Sequence, residues 1–248
     1  MFGFYRITNK DNPFQEQELK KFHYYKIKYT IDDLNWKKFE IKNIVAARGH
    51  AKILVIDDQD FPLMESLRGS YHYNIAQDYV GKSSYIAAEY DIILCDIHGV
   101  AKEMRSEYGG APLIQEIKTT YPNKKVVAYS AAQFDPAMSD YLDYADKRMG
   151  KSTTSDDWVA VLDQLIEQKF DLKDQWKITR HALLKQGVSI ADVACLESKY
   201  VESVNNKSVV SFQNQINNAS FAGAKLIVDL LQLTVSSMNF LQTAGLLL

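Results

Sequence analysis

The 248-residue sequence contains only two cysteines, Cys95 and Cys195, far apart and with no Cys-x-x-Cys spacing. This excludes a disulfide framework and a zinc knuckle. Eleven glycines and five prolines beside 46% hydrophobic residues exclude collagen-like and disordered chains. Residues 1–6 lack the basic region and apolar stretch of a secretory signal. We therefore expect an ordered, globular protein of the cytoplasm.

The chain also lacks a clean transmembrane segment. The most apolar stretch is residues 226–248, and it is interrupted by Asp229, Gln232, Asn239 and Gln242. An aspartate at the centre of a bilayer costs about 2.5 kcal/mol or more. The stretch is predicted to be a buried helix, and no membrane partner is expected.

The net charge is −2, but the charges are distributed unevenly along the chain. Residues 1–50 carry 10 basic and 6 acidic side chains, and residues 169–248 carry 8 and 6. Residues 51–168 carry 11 basic and 19 acidic side chains. An acidic centre does not suit nucleic acid, but it suits a divalent cation or a basic partner surface. The alternative is a solvated acidic face.

Apolar strands alternate with helical patterns through residues 51–168. Residues 53–56 form a continuous apolar run, which is typical of a strand buried on both faces. Further strands are predicted at residues 74–80, 91–95, 125–129 and 148–151, and helices at residues 61–73, 83–89, 111–120, 135–144 and 158–168, the last capped by residues 155–157. Five such units predict an α/β fold with a doubly wound, five-stranded parallel sheet.

Polar residues fall where these strands end. Asp57 and Asp58 follow the first strand, Asp96 the third, Ser130 the fourth and Lys151 the fifth. Ligands of doubly wound sheets bind outside the carboxyl ends of the strands. The spacing therefore predicts that these five groups converge in one crevice.

Three converging carboxylates repel one another unless a hard cation joins them or their pKa values rise. Mg²⁺ is the expected cation, since it accepts carboxylates, waters and phosphate oxygens together. With one or two of the carboxylates on the cation, the third can act as nucleophile toward a phosphoryl group, with Lys151 supplying positive charge and Ser130 a hydroxyl donor. The alternative for Asp57 and Asp58 is a helix cap or a turn.

Four motifs in order carry a family resemblance: Val55-Ile56-Asp57-Asp58, Leu94-Cys95-Asp96, Val127-Ala128-Tyr129-Ser130-Ala131 and Lys151. They resemble the receiver domain of bacterial two-component response regulators, a flavodoxin-like fold, over residues 51–168. The resemblance implies that Asp96 is the phosphoacceptor and that Ser130 is the switch hydroxyl. It also implies that Lys151 contacts the phosphoryl group. The Mg²⁺ ligands that it implies are Asp57, Asp58, Asp96 and the backbone carbonyl of His98.

The sequence departs from the receiver pattern near the site. Val100 stands where a proline is usual, Arg148 replaces an aromatic switch residue, and Ser152 replaces the proline after the lysine. An insertion over residues 101–108 is implied before Gly109 and Gly110. These departures favour an alternative, a receiver-like scaffold that is never phosphorylated. The His98 side chain is expected to be exposed, and Cys95 to serve packing.

The flanking segments resemble no module. Residues 1–50 are predicted to be an N-terminal β appendage, a hairpin in which residues 25–31 alternate and pair with residues 39–42 onward. Residues 169–248 are predicted to be a helical output or dimerisation segment. Residues 187–194 resemble the entry of a helix-turn-helix with Ser189 as cap, followed by a recognition helix at residues 197–206. The small positive charge there disfavours DNA.

The residues and the resemblance together predict a response regulator of a phosphorelay. A sensor histidine kinase or phosphotransfer protein would donate a phosphoryl group to Asp96 with Mg²⁺, and the flanks would change their contacts. No enzyme activity is expected beyond self-catalysed phosphoryl acceptance and hydrolysis at Asp96. The alternatives are a DNA-binding transcriptional regulator acting through the C-terminal helices and the unphosphorylated scaffold. A homodimer is also compatible with the apolar C-terminal stripe.

Overall fold

The computed structural model describes residues 27–34, 41, 43–78, 89–98, 100, 108–206, 208, 210–218, 231, 234–235 and 238–239. Three predicted features lie largely outside these residues. They are the helix at residues 83–89, the insertion over residues 101–108 and the apolar stretch at residues 226–248.

A parallel sheet forms the centre of the described chain. Its strands are β1 Lys52–Ile56, β2 Asn74–Asp78, β3 Ile92–Asp96, β4 Lys125–Ser130 and β5 Lys147–Gly150. They run in the order β2-β1-β3-β4-β5, with every neighbouring pair parallel. This is the flavodoxin-like doubly wound order, so the predicted fold class of the sheet is confirmed.

Helices cover both faces of the sheet. They are α1 Ile44–His50, α2 Ala111–Thr120, α3 Ser139–Leu142 and α4 Ser155–Phe170. One face buries Leu54, Ile93 and Cys95 in a cluster that includes apolar residues of α2. The other face buries Ile53, Val55, Leu94, Val127 and Tyr129 in a cluster that includes apolar residues of α4. The alternation along each strand divides the side chains between these two layers.

Two predicted helices are shorter and less regular than expected. In place of a helix over residues 61–73 there is a π-helical segment, Ser66–Ser70, and in place of one over residues 135–144 there are a 3-10 turn, Pro136–Met138, and the short α3. The predicted cap of the last helix is also corrected. Thr154, not Ser155, caps α4, because its side-chain oxygen accepts a hydrogen bond from the Asp157 backbone N–H at 3.3 Å.

The C-terminal segment continues as α5 Leu172–Lys185, α6 Ile190–Asn205 and α7 Val210–Asn218. Ser189 caps α6 as predicted, but α6 runs without a break through residue 197, so the helix-turn-helix interpretation is wrong. Tyr200 of α6 is fully buried and stacks on Trp176 of α5 at 5.0 Å between ring centroids. The expected recognition helix thus contributes its apolar side to the core.

The first strand of the predicted N-terminal hairpin is absent over residues 27–31, and its predicted partner at residues 39–42 lies largely outside the described residues. Residues 27–30 form no strand, residues Ile31–Asp33 form a 3-10 turn, and α1 follows. The backbone N–H groups of Lys28 and Tyr29 donate to Ser198 Oγ of α6, at 3.0 and 3.1 Å, and that of Ile31 donates to Glu197 at 2.9 Å. Side chains of α6 therefore satisfy the donors that a partner strand was expected to pair.

Among the described residues, no helix has the length and apolar character needed to cross a membrane.

Candidate functional site

Three carboxylates meet at the carboxyl edge of the sheet. Asp57 and Asp58 follow β1, and Asp96 ends the neighbouring β3, so the parallel pairing brings them together. One oxygen from each lies within 4.8 Å of the others. Asp57 and Asp96 are each 2% exposed, whereas Asp58 is open to solvent. The convergence expected from the strand ends is thus present in the structure.

Lys151 joins this cluster from the end of β5. Its Nζ lies 2.9 Å from Asp57 Oδ2 and 3.2 Å from Asp96 Oδ2. The Lys151 backbone N–H donates to the Ser130 carbonyl at 2.7 Å, which fixes the loop after β5 to the end of β4. Burial lowers the pKa of Lys151, but its hydrogen bonds and charge interactions with the two aspartates outweigh burial and raise it. The ammonium group therefore keeps its charge.

Asp96 differs from Asp57 in that one of its carboxylate oxygens is unpartnered among the described residues. Its Oδ1 is buried and accepts no hydrogen bond within the described chain. Burial raises the pKa of Asp96, and the charge of Asp57 adds to this, whereas the His98 backbone N–H and Lys151 lower it. A buried carboxylate oxygen without a partner is costly unless a ligand meets it. Because the three carboxylates together supply hard oxygen ligands, the residues fit a Mg²⁺ ion.

Ser130 and His98 flank the carboxylates differently. Ser130 is 1% exposed, and its Oγ accepts a hydrogen bond from the Ala132 backbone N–H at 3.0 Å. The His98 side chain is exposed, as expected, and its backbone follows Asp96 closely. Both residues therefore lie at the ends of the central strands. Their assigned roles, as switch hydroxyl and as carbonyl ligand, stay predictions.

Tyr129 is a site residue that the sequence reasoning missed. Its hydroxyl donates to Asp57 Oδ2 at 2.7 Å, from a side chain that is fully buried. Asp57 Oδ1 accepts a further hydrogen bond from the Gln59 backbone N–H at 2.9 Å. The available signal was a long side chain with a polar tip, one residue before the strand end. Its alternation places it on the face shared with Val127.

Two glycines pack closely against the backbone of Asp96 and Ile97. The Gly109 φ of 53° lies in the left-handed region, and a Cβ built there would lie 2.1 Å from the Ile97 carbonyl oxygen. A Cβ on Gly110 would lie 2.3 Å from the Asp96 carbonyl oxygen and 2.4 Å from a methyl carbon of Val100. Only glycine allows this approach, so the pair fixes the backbone that carries Asp96.

The departures from the receiver pattern have clear structural outcomes. Val100 is 1% exposed and belongs to the core cluster that includes α2. Arg148, at the position of the usual aromatic residue, forms an ion pair with Asp143 at 2.6 Å. The bond between Lys151 and Ser152 is trans. None of these changes removes Asp57, Asp96 or Lys151 from the cluster.

No family model matches the chain, and no curated protein matches it. Solved structures of receiver domains are similar to part of it. One is the response regulator TrrA of Thermotoga maritima with Mg²⁺ and BeF, at 21% identity over 46% of this chain and 98% of that one, with a TM-score of 0.38. Another is a CheY-like receiver domain of Methanospirillum hungatei, at 16% identity over 48% and 95%, with a TM-score of 0.39. NtrX of Brucella abortus with ADP gives 18% identity over 63% and 34%, with a TM-score of 0.41.

The described part of residues 52–170 has the flavodoxin-like doubly wound fold. The strand order, the parallel register and the helical layers of the chain itself establish this, as the resemblance in the sequence predicted.

Proposed function

We propose that this domain is the receiver of a response regulator and accepts a phosphoryl group on Asp96. The observation that carries the proposal is the buried Asp96 Oδ1, which lacks a hydrogen-bond partner within the described chain. It lies in a carboxylate cluster with Asp57 and Asp58. Lys151 bonds the other oxygen of the same carboxylate at 3.2 Å. One oxygen is therefore held, and the other is left to act as nucleophile.

Phosphoryl transfer to this oxygen needs positioning and charge compensation more than bond-making by the protein. Asp96 Oδ1 forms the new P–O bond, while the donor's P–N bond breaks and its imidazole keeps the electron pair. Lys151, whose side chain is 18% exposed, offsets negative charge on the transferred group. A Mg²⁺ ion held by Asp57, Asp58 and Asp96, with the His98 carbonyl, would supply further positive charge. Hydrolysis of the aspartyl phosphate by water would reset the switch.

The finer parts of the proposal concern the partners and the output. The donor is a sensor histidine kinase or phosphotransfer protein in the cytoplasm, and the added charge near Ser130 changes the contacts of the flanking segments. Support for an output in the flanks comes from α4, which belongs to the same core cluster as residues of α5 and α6. A change at one end of α4 thus has a packed route to the C-terminal helices.

The test is the intact-protein mass after incubation with acetyl phosphate and Mg²⁺. We expect a phosphate-sized increase in the wild type and none in Asp96→Asn. Asp135→Asn is the matched control, because Asp135 caps a surface turn and should leave labelling unchanged. Absence of labelling in all three proteins would contradict the proposal and favour the scaffold alternative. Equal labelling of wild type and Asp96→Asn would contradict the assignment of Asp96.

A further inference from the structure

Tyr129 connects the carboxylate cluster to the sheet's interior. Its hydroxyl and the Lys151 ammonium both donate to Asp57 Oδ2, at 2.7 and 2.9 Å. Lys151 Nζ also lies 5.3 Å from the centroid of the Tyr129 ring. Burial, and then the hydrogen bond to Asp57, raise the pKa of Tyr129 far above its ordinary value, so the hydroxyl remains a donor. With the Gln59 backbone N–H on Oδ1, these two donors hold Asp57 in one orientation.

The ring of Tyr129 also contacts the first turn of α4. Its centroid lies 5.5 Å from that of Phe61 and 6.0 Å from that of Trp158, both in edge-on geometry. Phe61 and Trp158 contact each other at 5.5 Å. Trp158 is fully buried, and its Nε1 has no hydrogen-bond partner within the described chain. In a close-packed interior, a shift of the Tyr129 ring must displace these neighbours.

We propose that Tyr129 is a positioning residue that holds Asp57 before a divalent cation binds. When a cation binds, movement of the Tyr129 ring transmits the change to α4 through Phe61 and Trp158. The inference rests on the cation site of the proposed function. A cation on Asp57 withdraws negative charge from a carboxylate that accepts hydrogen bonds from Tyr129, Lys151 and Gln59. The bond from the neutral hydroxyl weakens, and the ring takes a new position against Phe61 and Trp158.

The decisive variant is Tyr129→Phe, which removes the hydroxyl and keeps the ring. Because the variant has no hydroxyl bond to weaken, it should bind Mg²⁺ about 3-fold to 10-fold more tightly than the wild type in calorimetric titration. General damage to the site would weaken binding instead. In the wild type, Mg²⁺ should also change the tryptophan emission. In Tyr129→Phe this change should be about half as large or smaller, because the hydrogen bond that couples Asp57 to the ring is missing.

Trp158→Phe assigns the emission signal, since the chain also contains Trp36 and Trp176. This variant should bind Mg²⁺ like the wild type and lose the emission change. Phe61→Leu, which removes the intervening ring, should keep the affinity and reduce the emission change. If Tyr129→Phe does not fold, Phe61→Leu decides the question.

Each outcome separates this inference from the proposed function. Wild-type or weaker Mg²⁺ affinity in Tyr129→Phe, or an unchanged emission response in Tyr129→Phe or Phe61→Leu, would overturn the role of Tyr129. An emission change that persists in Trp158→Phe would overturn the route through α4. If calorimetry detects no Mg²⁺ binding to the wild type, the cation site itself fails, and the inference falls with it.

Discussion

The backbone around Asp96 is packed so closely that Gly110 has no room for a Cβ atom. We expect Gly110→Ala to lower the free energy of unfolding by about 1 to 3 kcal/mol, because its Cβ would overlap the Asp96 carbonyl oxygen and Val100. It should also reduce labelling by acetyl phosphate, since Asp96 moves. Urea denaturation and intact mass measure the two effects.

Gly69→Ala is the matched control for this variant. A methyl group on Gly69 would meet no atom within 4 Å outside its own helical turn, and the residue lies in the π-helical segment. Its substitution should change stability by no more than about 0.5 kcal/mol and leave labelling intact. Equal effects of the two alanines would show that close approach at Gly110 does not matter.

At this scale the sequence predicted the charged groups of the site but not their neutral neighbours. Asp57, Asp58, Asp96 and Lys151 could be placed together because each follows a strand, and the ends of parallel strands share one edge. Tyr129 could not, because its contact with Asp57 spans the intervening strand β3 and depends on a side-chain conformation. A residue inside a strand gives no sequence signal that its tip reaches a site.

Contacts between elements include a half-buried ion pair that attaches α1 to α4. Arg48 Nη2 lies 2.6 Å from Asp163 Oδ2, and its Nε lies 2.8 Å from Asp163 Oδ1, which also accepts from the Tyr73 hydroxyl at 2.6 Å. We expect Arg48→Met to lower the free energy of unfolding by about 2 to 3 kcal/mol, because the negative charge of the Asp163 carboxylate loses its ion-pair partner.

The exposed pair of Lys177 with Asp174 provides the comparison for Arg48. Both side chains are more than half exposed, so Lys177→Met should cost less than about 0.5 kcal/mol in the same urea experiment. A cost for Arg48→Met no larger than this would show that the α1 contact contributes little to the fold.

A buried lysine at the opposite, amino edge of the sheet predicts a pH dependence. Burial lowers the pKa of Lys124 to about 8, and the charge of Lys169 acts in the same direction. Between pH 8 and 10.5 the unfolded chain therefore binds more protons at this residue than the folded chain, and the contribution of Lys124 to stability rises with pH. Below pH 8 both states are protonated, and burial of the charge is a constant cost.

The measurement is the difference in unfolding free energy between wild type and Lys124→Met across this range. Other titrating groups are shared, so they largely cancel. The difference should move in favour of the wild type by about 1 to 3 kcal/mol from pH 7 to pH 10. Lys185→Met, at an exposed position, should show no such trend. A difference that is flat with pH for Lys124→Met would contradict this account of Lys124.

The elements themselves were predictable to different degrees. Buried strands such as β1 and β3 are continuous apolar runs, and their bounds agree with the prediction within one or two residues. The strand predicted at residues 25–31 does not form over residues 27–31. The alternation there is real, but the side chains that accept hydrogen bonds from its backbone, Glu197 and Ser198, lie at least 166 residues away in the sequence. Such long-range partners leave no local pattern.

Across the whole molecule, one core cluster continues from the sheet into the C-terminal helices. It includes Val55 of β1, Trp158 of α4, Trp176 of α5 and Tyr200 of α6. We expect a single cooperative unfolding transition, in which far-UV circular dichroism and tryptophan fluorescence coincide along a urea gradient. Two separated transitions would show that the C-terminal helices fold apart from the sheet.

Glu197 tests the same continuity from the C-terminal side. Its buried carboxylate accepts hydrogen bonds from the Ile31 backbone N–H at 2.9 Å and from Trp176 Nε1 at 2.6 Å. Glu197→Ala leaves these donors without a partner and should cost about 2 to 4 kcal/mol. The expected result is one transition with a lower urea midpoint. A second transition in the variant would contradict a shared core.

The central claim is that Asp96 accepts a phosphoryl group, and chemical trapping tests it most directly. Borohydride reduces an aspartyl phosphate to homoserine, so peptide mass spectrometry after treatment with acetyl phosphate, Mg²⁺ and borohydride locates the modified residue. We predict homoserine at position 96 of the wild type and at no other aspartate. Homoserine at another position, or none in a protein that binds Mg²⁺, would contradict the account.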